Sequence, residues 1–493
     1  MKSNKEIWFV TGSQMLYGDD VLKEVAKNSG VMVDYINSKA DYKVVYKCTV
    51  KSSDEIVDII KEANYSKECI GIVTWMHTFS PSKMWINGLN LLQKPVLHLH
   101  TQFNKEIPWN EIDMNFMNTN QSAHGDREHG YINTRMGITR KVVVGHYTSE
   151  KVISEMNKWF NVAYAVDYSK NLKVARFGDN MRDVAVTEGD KVFAQMKLGW
   201  SVNTHPVGDL KKYVDNVSNE EIEKIYAEYL DKYEISEETL KDSEKVDSIK
   251  YQGKLEIAME KFLTEGGFGA YTNTFEDLHG LDQLPGLASQ RLMEKGFGFG
   301  PEGDWKVSAM INIIKAMGGN KGTSLMEDYT YDMPDGDEKI LGAHMLEICP
   351  TISENKPEIQ VHPLGIGGKD APARMVFTGR EGKGVCVSLV DLGGRLRLIV
   401  LDVDAVKSEK KMPNLPVASV FWKPMPNFEI GCKAWIYAGG AHHSVFSYDV
   451  DATDLYDFAE IMGLEFVHIH KDTCLTSFKK ELEINDLIYS LKN

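Results

Sequence analysis

Lys43-Val-Val-Tyr-Lys-Cys48, Ser53-Asp-Glu-Ile-Val-Asp-Ile-Ile-Lys-Glu-Ala63 and Cys69-Ile-Gly-Ile-Val-Thr-Trp75 follow one another in the first third of the chain. The outer pieces are short, apolar and rich in β-branched residues, the composition of strands. The middle piece places Ile56, Ile59, Ile60 and Ala63 on one helical face. Strands alternating with helices in this way predict a parallel sheet covered on both sides. The pattern extends outward to strand-like Glu6–Thr11 and Pro95–His100. A second unit opens near residue 170, with strand-like Leu172–Gly178 and Val184–Thr187. There Ser218-Asn-Glu-Glu221 fits a capping box, and a later helix with Leu255, Met259 and Phe262 inward stops at Gly266-Gly267. From about residue 325 the segments are strand-rich and punctuated by turns, as in Gly384–Val390, Leu396–Leu401 and Val417–Trp422. The expected fold is α/β: an N-terminal α/β domain over 1–170, a central α/β domain over 171–325, each with a parallel sheet, and a β-rich C-terminal domain over 326–493.

Composition narrows the function. The chain has 493 residues, with Lys+Arg 56 against Asp+Glu 71 and a net charge of −15. That balance opposes phosphate backbones and anionic membrane surfaces, so neither a nucleic acid nor a membrane is an expected partner. No apolar run is long enough to span a bilayer, and the start lacks the longer apolar stretch of a secretory signal. The six cysteines are scattered without a CxxC pair. They read as free thiols in a reducing compartment, hence a cytoplasmic protein acting on a small molecule. Gly298-Phe-Gly300-Pro-Glu-Gly303 matches G-x-G-x-x-G in letters only. A helical pattern precedes it, and a proline and a glutamate stand where backbone would approach a pyrophosphate. No nucleotide cofactor is expected.

Chemistry concentrates in four regions: Gly300–Lys306, Ser324–Tyr331, Gly342–Pro350 and Gly439–Val445. Each sets carboxylates or histidines beside glycine or aromatic residues. Carboxylate oxygens with imidazole nitrogens suit Mn²⁺, Co²⁺ or Mg²⁺ better than soft metals. The long spacings leave open whether the four regions share one site or hold separate surface carboxylates and core histidines. His442 and His443 on a strand would face opposite ways, so one of them at most would serve a given ion. His98-Leu-His100 and His468-Ile-His470 lie in apolar stretches and read as structural. Asn120–His129 reads as a polar loop of the kind that carries binding groups. Thr74–Trp85 is an aromatic stretch, suited to core packing or to stacking on a sugar ring.

Taken together, Thr11-Gly-Ser-Gln-Met-Leu-Tyr-Gly18, Arg176-Phe-Gly-Asp-Asn-Met-Arg182, Glu265-Gly-Gly-Phe-Gly-Ala-Tyr-Thr272, Met326-Glu-Asp-Tyr-Thr-Tyr331, His362-Pro-Leu-Gly-Ile-Gly-Gly368 and Gly439-Gly-Ala-His-His443 resemble L-arabinose isomerase nearly end to end. The resemblance implies a fold organised like fucose isomerase and a metal-dependent aldose–ketose isomerase that converts L-arabinose to L-ribulose. Many members also turn D-galactose into D-tagatose. It implies one divalent ion per site, Mn²⁺ ahead of Co²⁺ and Mg²⁺, held by Glu302, Glu327, His344 and His443, with His442 the alternative to His443. It implies sugar contacts from Gln14, Leu16, Phe79, Gln121, His124, Met181, Phe275 and Ile366. It also implies a homo-oligomer, trimer or hexamer, with the site between subunits and His124 supplied by a neighbour. Glu302 and Glu327 are assigned as the acid/base pair of a metal-stabilised enediol route; a hydride shift is the alternative. Met15 and Leu325 depart from the family pattern, which often has His and Phe there.

Overall fold

Ile7–Val10 and all of Cys69–Met76 are buried on both faces, which is how strands read when helices cover a parallel sheet on two sides. The computed structural model, which describes residues 4–408, 410 and 412–492, resolves into two compact units, Met1–Asp167 and Tyr168–Asn493.

The first unit holds five parallel strands: β1 (Glu6–Gly12), β2 (Lys43–Val50), β3 (Cys69–Met76), β4 (Val96–His100) and β5 (Lys141–Val144), in the order β2-β1-β3-β4-β5. The chain leaves β1 toward one edge and returns on the other side as β3. That reversal opens a crevice at the carboxyl ends of β1 and β3, where such sheets bind ligands. The expected helix is present as Ser53–Tyr65, with Ile56, Ile59, Ile60 and Ala63 buried and Ser52 capping the Glu55 amide.

The second unit opens with four parallel strands, β6 (Lys173–Phe177), β7 (Ser201–His205), β8 (Ala270–Asn273) and β9 (Gly298–Gly300), ordered β7-β6-β8-β9. The Ser218–Glu221 capping box forms, and Gly267 ends the helix Ser243–Gly266 in the left-handed conformation. Then follow β10 (Thr323–Asp332), β11 (Lys339–Ala343), β12 (Glu358–Val361), β13 (Ala373–Val376), β14 (Gly382–Asp391), β15 (Leu396–Val406), β16 (Ser419–Pro424), β17 (His443–Ser447) and β18 (Glu465–Ile469). Six of them pair antiparallel in the order β14-β17-β10-β11-β16-β15, and β15 pairs back onto β14. The result is a closed barrel, which leaves β18 to extend β15 in parallel. The fold class is therefore the expected one: two parallel α/β sheets and a β-rich C-terminal part.

The helix Trp305–Gly318 is buried on nearly every side because it lies between the two sheets of this unit, touching β8 and β9 as well as β10 and β17. The G-x-G-x-x-G glycines serve that packing. A Cβ on Gly298 would stand 2.0 Å from the Ser308 carbonyl, and one on Gly300 2.2 Å from that of Asp304.

Two local expectations fail. Val184–Thr187 is not a strand: residues Ala185–Thr187 form a 3₁₀ turn. The Thr187 carbonyl accepts from Asn180 Nδ2 and Lys306 Nζ, so side chains take the place of a neighbouring strand. Asn120–His129 is not a loop: a helix runs over Ser122–Arg135, with Gln121 at its N-terminal boundary and no side-chain cap. Its buried stripe of Ser122, Asp126, His129 and Asn133 is polar, so hydrophobic periodicity does not reveal it.

Candidate active site

Carboxyl ends of strands deliver the side chains. In the second unit Met181 follows β6, Phe275 follows β8 and Glu302 follows β9. Glu302 sits in a left-handed turn, φ +58°, with Gly303 at φ +80° beside it. That conformation costs a non-glycine residue about 1 kcal/mol or more. It is pinned by Met181 N donating to the Glu302 carbonyl (2.9 Å) and Gly303 N donating to Asn273 O (3.0 Å). Asp304 then caps the helix Trp305–Gly318 through the Val307 amide.

The barrel supplies the rest. Register pairs Glu327 of β10 with His443 of β17 on one side and with Ala343 of β11 on the other, and His344 follows Ala343. Three neighbouring strands thus bring Glu327, His443 and His344 to one end of the barrel. Glu302, Glu327 and His344 line a cleft of about 170 Å³ together with Phe275, Glu347 and Ile366.

Within the cluster, Glu302 Oε2 lies 3.7 Å from His442 Nε2 and 4.0 Å from His443 Nε2. The His442 and His443 rings are 4.2 Å apart, and His344 is 5.7 Å from His443 between ring centroids. Strand alternation does not separate the two histidines, because β17 begins only at His443. Two carboxylates that the sequence reading did not single out stand behind the histidines. His344 Nδ1 donates to Glu347 Oε2 at 2.6 Å, and Asp304 Oδ2 lies 3.7 Å from His443 Nδ1. A signal was available for Glu347, since a histidine and a carboxylate three residues apart are neighbours on one turn of chain.

The first unit gathers the other sugar-contact candidates at the carboxyl ends of its strands. Gln14 and Leu16 follow β1, Phe79 follows β3, and Gln121 and His124 open the helix Ser122–Arg135. Phe79 and His124 are stacked with ring centroids 4.6 Å apart, and Tyr17 Oη reaches Gln121 Oε1 at 3.5 Å. Trp75 and Trp85, from the same aromatic stretch, are core residues.

Comparison with known proteins matches the chain to three consecutive domain families: the L-arabinose isomerase N-terminal domain over residues 1–171, the central domain over 173–320 and the C-terminal domain over 322–465. It is similar to the L-arabinose isomerase of Geobacillus stearothermophilus, 54% identical over 98% of each chain. The L-arabinose isomerase of Bacillus subtilis (strain 168) is 52% identical over 99% of this chain and 98% of its own. That of Clostridium beijerinckii is 54% identical over 98% of both. The chain belongs to the L-arabinose isomerase family.

Membership in the L-arabinose isomerase family raises the question of a metal, and the residues present fit one. Glu302, His442 and His443 each offer a ligand atom, and these atoms lie within 4.8 Å of one another. Two ligands about 2.1 Å from a shared cation stand roughly 3–4 Å apart, the spacing found here. His443 is buried with its Nε2 toward Glu302 and its Nδ1 toward Asp304, while the Glu347 carboxylate holds Nδ1–H on His344, the arrangement that leaves Nε2 as that ring's ligand atom. Glu302, His442 and His443 could hold an ion, and Glu327 and His344 line the same cleft as Glu302.

In the metal-free protein the carboxylates and rings of the cluster shift one another. The His442 ring, followed by His443, holds the Glu302 carboxyl below its ordinary range against the opposing effect of burial. Glu302 in return raises His442. Burial opposes charge on His344, but Glu347, Glu327 and Glu302 outweigh it and raise the ring above its ordinary value. Burial keeps His443 low and therefore neutral, the form that binds a cation.

Proposed function

We propose that the chain is a metal-dependent aldose–ketose isomerase that converts L-arabinose to L-ribulose, with D-galactose to D-tagatose as a second activity. The observation that carries the metal-dependent reading is the convergence of Glu302, His442 and His443, with Glu327 and His344 in the same cleft. The substrate follows from the family and from relatives more than half identical over nearly their whole length.

The reaction moves a hydrogen between C1 and C2 while the carbonyl changes places. A bound divalent cation, Mn²⁺ by preference, supplies polarisation of the sugar's carbonyl and hydroxyl oxygens. Glu302, ionised because of its histidine neighbours, is in the form that accepts a proton. Glu302 and Glu327 form the acid/base pair: one takes the C2 proton of the open-chain sugar, and the other manages the proton between O1 and O2. Phe275 and Ile366 supply the apolar wall of the cleft. Gln14, Leu16, Phe79, Gln121 and His124 complete the site from a second copy of the chain, in a trimer or hexamer. Free cysteines and the absence, among the described residues, of any helix long and apolar enough to cross a membrane support a cytoplasmic setting.

The test is steady-state turnover of L-arabinose and D-galactose by the Mn²⁺-loaded protein. Glu302→Gln and Glu327→Gln should each lower kcat by about 10²–10⁴-fold, the range for loss of a positioned acid or base. Near-normal kcat in either variant removes that residue from the pair. C2-deuterated sugar should lose its label to solvent, and full retention in the ketose would replace proton transfer by a hydride shift. Mixing His124→Ala with Glu302→Gln subunits should restore activity. Failure to do so with demonstrated subunit exchange would overturn the shared site.

A further inference from the structure

The helix Ser122–Arg135 is fastened to its sheet by polar groups, with Ile132 the one aliphatic side chain among its buried residues. The fastening centres on Asp126, whose side chain is 1% exposed. Its Oδ1 accepts from His98 Nε2 at 2.9 Å and from the Met76 amide at 3.1 Å, and its Oδ2 accepts from His100 Nδ1 at 2.9 Å. The Met76 amide ends β3, His100 ends β4, and His98 lies in the middle of β4. A carboxylate so placed ties one helical turn to two strands at once.

The same turn carries the groups that face the crevice. The Gln121 amide donates to the His77 carbonyl at 3.0 Å. Gly125 passes so close to the next loop that a Cβ would stand 2.7 Å from Thr78 O. One residue earlier, His124 stacks on Phe79. An apolar seam would hold this helix by area, which is non-directional and tolerates sliding. Three hydrogen bonds converging on one carboxylate fix both its position and its angle.

We infer that Asp126 is a positioning residue for the isomerisation: through His98, His100 and the Met76 amide it sets where Gln121 and His124 stand against Phe79. The inference rests on the reading above, in which those three residues face the sugar. Asp126 itself is buried beneath the helix and does not touch the sugar. Asparagine replaces it only in part: its oxygen still accepts from His98 and the Met76 amide, but its N–H can meet His100 only if that ring moves its proton to Nε2, and the charge that strengthens all three bonds is lost.

The experiment is steady-state kinetics on L-arabinose with Mn²⁺-saturated Asp126→Asn, His124→Ala and the double variant, with Mn²⁺ affinity measured alongside. Asp126→Asn should lower kcat/KM about tenfold, mostly through KM, as expected for a displaced binding group. Mn²⁺ affinity should not change, because the candidate ligands lie in the other unit. The double variant should be no worse than the worse single one, the mark of two residues acting through one contact. If Asp126→Asn retains wild-type kcat/KM, or if the two effects multiply, the positioning role is overturned while the reading of His124 stands. If His124→Ala leaves KM unchanged, that reading fails and the inference falls with it. Should Asp126→Asn not fold, His100→Leu removes one donor at the partly exposed strand end. It should raise KM about threefold in the same direction, and an unchanged KM overturns the role.

Discussion

Two clusters in this protein are built from the same residue types and do opposite things. In the first unit, His98 and His100 each spend an N–H on Asp126 at 2.9 Å, and a backbone amide adds a third bond to the same carboxylate. In the second, Glu302 stands 3.7 and 4.0 Å from the nitrogens of His442 and His443, beyond hydrogen-bond reach of both. Imidazoles that close on a carboxylate are fasteners. Glu302, His442 and His443 stop short of one another at a spacing that would admit a cation, with Glu347 behind His344 and Asp304 near His443. Residue identity does not separate these cases; donor bookkeeping does.

The largest effect expected from this contrast is on metal binding. His443→Ala should weaken Mn²⁺ by more than about a hundredfold, since losing even an outer partner of a ligand costs 10–100-fold. His98→Ala should leave Mn²⁺ affinity unchanged and instead lower thermal stability by about 1–3 kcal/mol, because it strands part of the Asp126 carboxylate. Isothermal titration and calorimetry on both variants would separate the roles. Equal loss of metal affinity in the two would erase the distinction.

Acid should pull the two regions apart. Burial lowers His77 to about 4 and holds His129 well below its ordinary value. Both are buried neutral, so protonation favours the unfolded chain. Their stabilisation is complete above the unfolded value near 6.5 and drains away as pH falls toward the folded one. From pH 7 to pH 5 the His77 contribution alone should fall by about 2 kcal/mol. His344 and His442 are raised, so in metal-free protein they stabilise below 6.5 and lose that contribution as pH rises through their folded values. Calorimetry of metal-free protein at pH 5 and 7 would show the acid loss, and His77→Gln should flatten it. An acid limb unchanged by that substitution would assign it to other groups.

The first parallel sheet was legible because Glu6–Gly12 and Cys69–Met76 write burial as continuous apolar runs, whereas of the second only Lys173–Phe177 was. Strand content after residue 325 was legible in the same way, but closure of the barrel was not. β14 and β15 form a local hairpin, but closure also depends on β14 meeting the distant β17 in register, which no local pattern encodes. The helix Ser122–Arg135 was hidden because it buries aspartate, histidine and asparagine where periodicity looks for leucine. Val184–Thr187 misled because β-branched residues suggest a strand even where side-chain donors, and no partner strand, satisfy the carbonyls. At the candidate site, residue types pointed to hard-cation chemistry and the resemblance to particular positions. That His442 and His443 both stand beside Glu302 was beyond the sequence, since it turns on where a strand begins.

The smallest of these effects is the most discriminating. Glu347→Gln keeps an oxygen that can accept Nδ1–H of His344, so the ring should hold its orientation. What disappears is the negative charge that raises the basicity of His344 and fixes which nitrogen carries the proton. Mn²⁺ affinity should fall by about tenfold, the low end for an outer partner, and kcat at saturating Mn²⁺ should recover most of its original value. Asp126→Asn carries the same kind of change on the other cluster and should show the reverse pattern: intact metal affinity and a raised KM that added Mn²⁺ does not cure. If extra Mn²⁺ rescued Asp126→Asn, or failed to rescue Glu347→Gln, the two carboxylates would have exchanged roles, and the division between a fastening cluster and a cation-holding one would not stand.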